Sequence, residues 1–306
     1  MKKIPVGATI AHGYRFAFTE FFNLLKLIWL PLAGFMILNI LVVPQISAVS
    51  RGIATHDYSA VTMSWPLLVL LYAITLILSF MQITAIFQYA LEQPEARHRR
   101  YYFSLAKPLW RLIGALLLLI LALLGILIAY AIAIFVVLVV FRLGLGAAHV
   151  SDNAMKGIAT FDVLLAFLIG YCGFIFCALR FGFLLFSAAI AEARIGLFRS
   201  WMLSHGNFWR MFIISLALFL PFLIVEGIAL YALGIFPHIP AGATPAELQV
   251  LQNAASAAAF ARMQHYWYLF YPGGAILALL LYGLAAGAQS FAYRALTEAE
   301  SVPSLP

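Results

Sequence analysis

The chain is 306 residues long, 65% hydrophobic and only 9% charged, with a formal net charge of +7. Soluble domains run at roughly 45–50% apolar and about 25% charged residues, so a water-soluble fold would lack the polar surface to cover itself. Lipid must be the solvent for most of the chain, which excludes an ordinary soluble enzyme or binding module. The cations sit at the ends of apolar runs, not on a soluble face, which points to anionic membrane lipid and away from nucleic acid as partner.

The length fits about six membrane-crossing helices in one polytopic domain, with no separate soluble domain. The lead from Met1 to Asn23 carries Lys2, Lys3 and Arg15 among aromatics, and the first apolar run follows over 24–48, bent at Pro31 and Pro44. That run is too long for a signal-peptide core, so no cleavable leader is expected. A polar loop with Arg51, His56 and Asp57 leads to a second span over 66–91. The next connection holds Arg97, Arg99, Arg100, Lys107 and Arg111 and reads as cytoplasmic.

The third span, 112–141, is thirty unbroken apolar residues, about 45 Å at 1.5 Å each, so it must tilt or project. The fourth, 161–191, contains Arg180; the fifth, 211–236, contains Pro221 and Glu226. In the connection that follows, Thr244-Pro245-Ala246-Glu247 matches a capping box with proline at the first helical position and predicts an alanine-rich helix to about Gln264. Tyr266, Trp267, Tyr268 and Tyr271 form an interfacial belt at the entry of the sixth span, 266–293.

Three segments are basic, aromatic and placed just before an odd-numbered span: Phe16–Leu30, Tyr101–Leu117 and Gly196–Ile214. The first two place a hydroxyl residue seven positions before a cation, Thr19 to Lys26 and Ser104 to Arg111. Such segments predict amphipathic elbow helices lying against the headgroups before spans one, three and five. With both termini inside, the cytoplasmic segments collect 13 cations and the outer loops four, Arg51, Arg142, Lys156 and Arg262, which fixes the expected orientation.

Lys26, Arg111, Arg199 and Arg210 in the elbows, and Arg180 within a span, are the candidate lipid or anion contacts. Glu226, Gln82 and Asn39 are intramembrane polar residues; by depth Gln82 is a better partner for Arg180 than Glu226 is. The amides are expected to hydrogen-bond between helices, and Gly283 with Gly287 to permit close helix packing within the bundle. Cys172 and Cys177, five apart on different helix faces, suit neither a disulfide nor a zinc site. His56, His149, His238 and His265 share the outer side with Asp57 and Asp152 but read as solvated loop residues, so no metal or cofactor is expected. No nucleophile elbow, phosphate loop or paired-carboxylate signature is present, and catalysis is unsupported.

The run Leu197–Phe212, with Ser200-Trp201, Leu203, Gly206-Asn207 and Trp209-Arg210, resembles six-span bacterial inner-membrane proteins similar to the membrane domain fused to some glycerophosphodiester phosphodiesterases. The resemblance implies a helical inner-membrane domain, and no catalytic residue, because in fused relatives the chemistry belongs to a separate domain. The expectation is a non-enzymatic inner-membrane protein, anionic-lipid-binding or scaffolding, alone, as a homo-oligomer or with a membrane partner. The alternative is a transporter or permease for a small or lipidic solute, with Arg180 lining its path.

Overall fold

The computed structural model describes residues 3–54, 58–93, 101–147, 152–232 and 244–297, and these form helices and the turns between them, with no strand. In chain order the helices are α1 Val6–Thr19, α2 Phe21–Ala54, α3 Tyr58–Ala90, α4 Lys107–Ala147, α5 Asp152–Gly182, α6 Leu185–Ala191, α7 Leu197–Leu203, α8 Phe208–Ala232, α9 Pro245–His265 and α10 Trp267–Thr297. Six stretches are long and apolar enough to cross a bilayer: Phe21–Ile46, Ser64–Ala90, Lys107–Val137, Ala166–Ala191, Phe208–Ala232 and Trp267–Thr297. The protein is an all-α, multi-pass membrane protein.

The chain divides into two compact units. One comprises Met1–Ile4, Ala106–Phe212 and Ala292–Pro306; the other comprises Pro5–Leu105 and Ile213–Phe291.

In the second unit, α2 and α3 run antiparallel, as the pairing of Gly34 with Leu78 and of Pro31 with Gln82 requires. Val42, Val49, Leu68 and Leu71 form their shared core. Proline explains two further contacts. Pro31 has no N–H for the carbonyl of Leu27 four residues back, and the backbone N–H of Tyr102 donates to that oxygen instead, at 2.7 Å. Pro221 strands the carbonyl of Ala217 in the same way, and the Tyr14 hydroxyl donates to it at 2.9 Å. In lipid little water is at hand to do this, so these two carbonyls take their donors from the protein.

Tyr14 is delivered by α1, whose buried face is Thr9, Gly13 and Ala17, each four residues from the next. These small side chains let backbones approach closely: a methyl added at Gly13 would lie 3.1 Å from Ala288 Cβ. Gly283 and Gly287 answer from α10, where an added methyl would lie 3.3 Å from Ala17 Cβ and 2.8 Å from Phe16 Cβ respectively. The glycine pair thus packs inside its own unit. At the bend between α1 and α2, Glu20 Oε2 accepts from Tyr89 at 2.7 Å and from Asn23 at 2.8 Å.

In the first unit, α4 is 41 residues long, about 60 Å, against roughly 30 Å of hydrocarbon. Leu119 lies on Gly182, and Tyr130 lies over Gly170 and donates to the carbonyl of Ala166, so α4 and α5 are antiparallel. Ala115, Leu185, Ala189 and Leu197 close the core between α4, α6 and α7.

Separate helices, α1 and α7, precede spans one and five, but of the first expected elbow, Phe16–Leu30, only Phe16–Thr19 lies on α1, and Phe21–Leu30 is already the start of α2. Before span three the expected elbow helix is absent among the described residues: 101–106 are not helical, and the basic aromatic residues from Lys107 on are the first turns of α4. Pro108 suits a helix's first turn and starts α4 there, while Tyr102 has its N–H committed to Leu27. The fourth span also differs from one continuous rod, since α5 stops at Gly182 and α6 resumes at Leu185.

Candidate functional site

The third elbow, Gly196–Ile214, and the end of α5 are joined by a set of side-chain hydrogen bonds and ring contacts. Gly196 precedes α7, and Gly206 after it turns with a φ of 74°, a conformation that disfavours any side chain. On the inner face of α7, Leu197, Ser200 and the following Ser204 are buried, at the helical spacing of three and seven. Its outer face is apolar: Phe198 is 76% exposed, Met202 is exposed, and Trp209 at the start of α8 is 70% exposed.

Arg180 lies in the last turn of α5, where a cation complements the unpaired carbonyls of the helix end. Its guanidinium carbon sits 3.7 Å above the centre of the Trp201 ring, and Nη2 donates to the Trp201 carbonyl at 3.1 Å. The carbonyl of Arg180 in turn accepts from the Ser204 hydroxyl at 3.1 Å and the Ser200 hydroxyl at 3.3 Å. Phe181 stacks on Trp201 with 4.5 Å between ring centres. Together these fasten α7 across the end of α5.

Four further hydrogen bonds, two at Glu192 and two at Ile4, tie the elbow to α6, through Glu192 to α10, and to the segment before α1. Glu192, at the C-terminus of α6, accepts from Arg199 Nε at 2.8 Å and from the Tyr293 hydroxyl near the end of α10 at 3.0 Å. Asn207 Oδ1 accepts from the N–H of Ile4 at 3.0 Å, and Arg210 Nη1 donates to the carbonyl of Ile4 at 2.7 Å, leaving Ile4 fully buried. A two-point grip of one residue's backbone N–H and carbonyl, by an amide and a guanidinium, fixes both position and direction of the segment.

The sequence candidates therefore separate. Arg180, Arg199 and Arg210 all spend guanidinium donors on protein oxygens. Arg111, on α4, is half-buried, and Lys26, on α2 of the other unit, is exposed. Gln82 is buried and donates to the Pro31 carbonyl at 3.4 Å, an interhelical bond of the expected kind. Asn39 differs: its amide donates at 2.8 Å to the carbonyl of Phe35 in its own helix, four residues back, a local bond open to asparagine on any helix. Glu226 is exposed on α8 beside Val225 and near Ile228.

Among the described residues no group of three His, Cys, Asp or Glu is placed to hold a metal ion; His56, His149 and His238 lie outside them. Glu192, Tyr293 and Arg194 were not singled out by sequence. Glu192 and Tyr293 are 101 residues apart with no local signal to join them, whereas Arg194 could have been noticed as the cation directly preceding Ile195 and Gly196 of the elbow. Outside the site, α9 carries the expected capping box: Glu247 Oε2 accepts from the Thr244 N–H at 2.8 Å, and these bonds to Thr244 hold the Glu247 carboxyl below the usual glutamate range.

No family model, curated protein or solved structure matches the chain.

Proposed function

We propose that the chain is a non-enzymatic, multi-pass inner-membrane protein whose elbows bind anionic lipid and anchor a helical bundle, with both termini on the cytoplasmic side. One observation carries this reading: the third elbow turns its hydrogen-bonding groups inward onto its own unit, while Phe198, Met202 and Trp209 face outward. A bonded inner face and an apolar outer face suit a segment seated at the boundary of headgroup and acyl chain. The uneven split of cations between loops supports the orientation.

Support for the transporter alternative is thinner, because the Arg180 guanidinium is taken up by Trp201 and Ser204. Purified protein in nanodiscs of mixed phosphatidylglycerol and phosphatidylcholine tests the main reading. Enrichment of phosphatidylglycerol among co-purified lipids is the expected result, and retention in bulk proportion overturns it. For the orientation, a Gln252→Cys variant should react with an impermeant maleimide on intact cells; protection there, with the C-terminal tail labelled instead, overturns it.

A further inference from the structure

The lipid-anchoring reading leaves open which cations meet the headgroup, and the bonding of the elbow sorts them. Arg199 and Arg210 are committed to Glu192 and to the Ile4 carbonyl. Arg194 is different. It follows Ala193, whose φ of 56° puts a sharp left-handed turn after α6, and its side chain is 77% exposed, with Nε no nearer than 4.0 Å to Glu192. An exposed pair at that distance is weak and leaves the guanidinium available.

The next residue locates it. Ile195 reaches onto α4 at Gly114, where an added methyl would lie 3.1 Å from Ile195 Cδ1. Helical spacing puts Arg111 and Lys107 on that same face of α4, three and seven residues before Gly114. Lys107 is exposed and Arg111 half-buried, and among the described residues neither has an ion-pair partner. Large apolar side chains open to the outside adjoin these cations in the chain: Trp110 and Ile195 directly, and Phe198 in the first turn of α7, four residues after Arg194. A soluble anion has no use for such a frame; a lipid does, because its phosphate meets the cations while its chains lie against the apolar side chains.

We propose that Lys107, Arg111 and Arg194 form one docking surface for the headgroup of an anionic phospholipid, with Trp110, Ile195 and Phe198 against its acyl chains. The proposal rests on the lipid-anchoring reading and narrows it to one face of the first unit.

The test is lipid exchange in nanodiscs, phosphatidylglycerol against phosphatidylcholine, with Lys107→Gln, Arg111→Gln and Arg194→Gln singly and together. Each cation at a membrane surface is worth on the order of a fivefold preference, so the triple variant should lose about a hundredfold. The preference should also fade as salt rises, and the thermal stability of the Arg194→Gln variant should be unchanged. If the triple variant keeps the preference and Lys26→Gln abolishes it, this surface is wrong while lipid anchoring stands. A wild-type protein with no preference overturns both. Inorganic phosphate displacing the lipid at equal charge concentration would assign the cations to a soluble anion and overturn the lipid docking surface.

Discussion

The bond from Tyr14 to the proline-freed carbonyl of Ala217 makes a prediction that a double-mutant cycle can decide. Tyr14→Phe removes one hydroxyl and leaves the ring in place, so the change is confined to the 2.9 Å bond and the carbonyl behind it. Hydrogen bonds between membrane helices average about 0.6 kcal/mol and reach about 1.7, and a buried carbonyl left unpaired costs about 1–3 kcal/mol. Because Ala217 has no helical donor when residue 221 is proline, the upper part of that range applies, and Tyr14→Phe should cost about 1.5 kcal/mol. Pro221→Ala supplies an N–H that closes the bond within α8. In that background Tyr14→Phe should cost no more than about 0.5 kcal/mol, giving a coupling of about 1 kcal/mol. Reversible unfolding by sodium dodecyl sulfate in mixed micelles measures all four corners. Equal cost of Tyr14→Phe in both backgrounds would refute the pairing of proline with donor.

Three further substitutions probe the rest of the architecture. Gly287→Ala would set a methyl 2.8 Å from Phe16 Cβ, an atom too close to the backbone to swing aside, so it should destabilise by about 1–3 kcal/mol; an unchanged unfolding midpoint would show that α1 does not pack there. Arg180→Lys keeps the charge and loses the flat guanidinium over Trp201, so stability should fall by about 2 kcal/mol, read as a lower unfolding midpoint. Full stability in the lysine variant would mean that charge alone matters at this position. In α9, the capping bonds lower the Glu247 pKa in the folded protein, so their contribution is present above the ordinary glutamate range and is lost as pH falls through the lowered value. Hydrogen exchange in the first turn of α9 should therefore quicken on acidification below that range, beyond the intrinsic change, and Thr244→Ala should remove this dependence.

The six spans were legible because lipid imposes a simple condition, about twenty apolar residues in a row, and the chain meets it six times with few interruptions. The first span was expected over 24–48 and is found at Phe21–Ile46. The capping box of α9 was legible because it is local, complete within four residues. The break after Gly182 was not, since Phe183 and Leu184 are as apolar as the helix on either side and hydropathy does not register a turn made of them. The prolines occupy a middle position. Sequence alone says that Leu27 and Ala217 lose their helical donors, but the replacements come from Tyr102 and from Tyr14, the second across 203 residues.

The arginines show why the candidate site was harder to read than the fold. Arg111, Arg199 and Arg210 lie in basic aromatic stretches of similar composition and Arg194 two residues before one, so composition treats them alike. What separates them is whether folding brings an acceptor into reach. Arg199 is one helical turn and a short bend from the carboxylate of Glu192, and Arg210 meets the Ile4 carbonyl, 206 residues away in sequence. Arg194 follows the left-handed turn at Ala193 and is carried outward instead. A guanidinium with a good internal acceptor has already exchanged its water for protein and gains little from a phosphate, whereas one kept at the surface exchanges water for phosphate and gains from both charge and geometry. Lipid contacts in this protein should therefore follow the unfilled donors, and neutralising Arg199 or Arg210 should register first as lost stability and only secondarily as lost lipid preference.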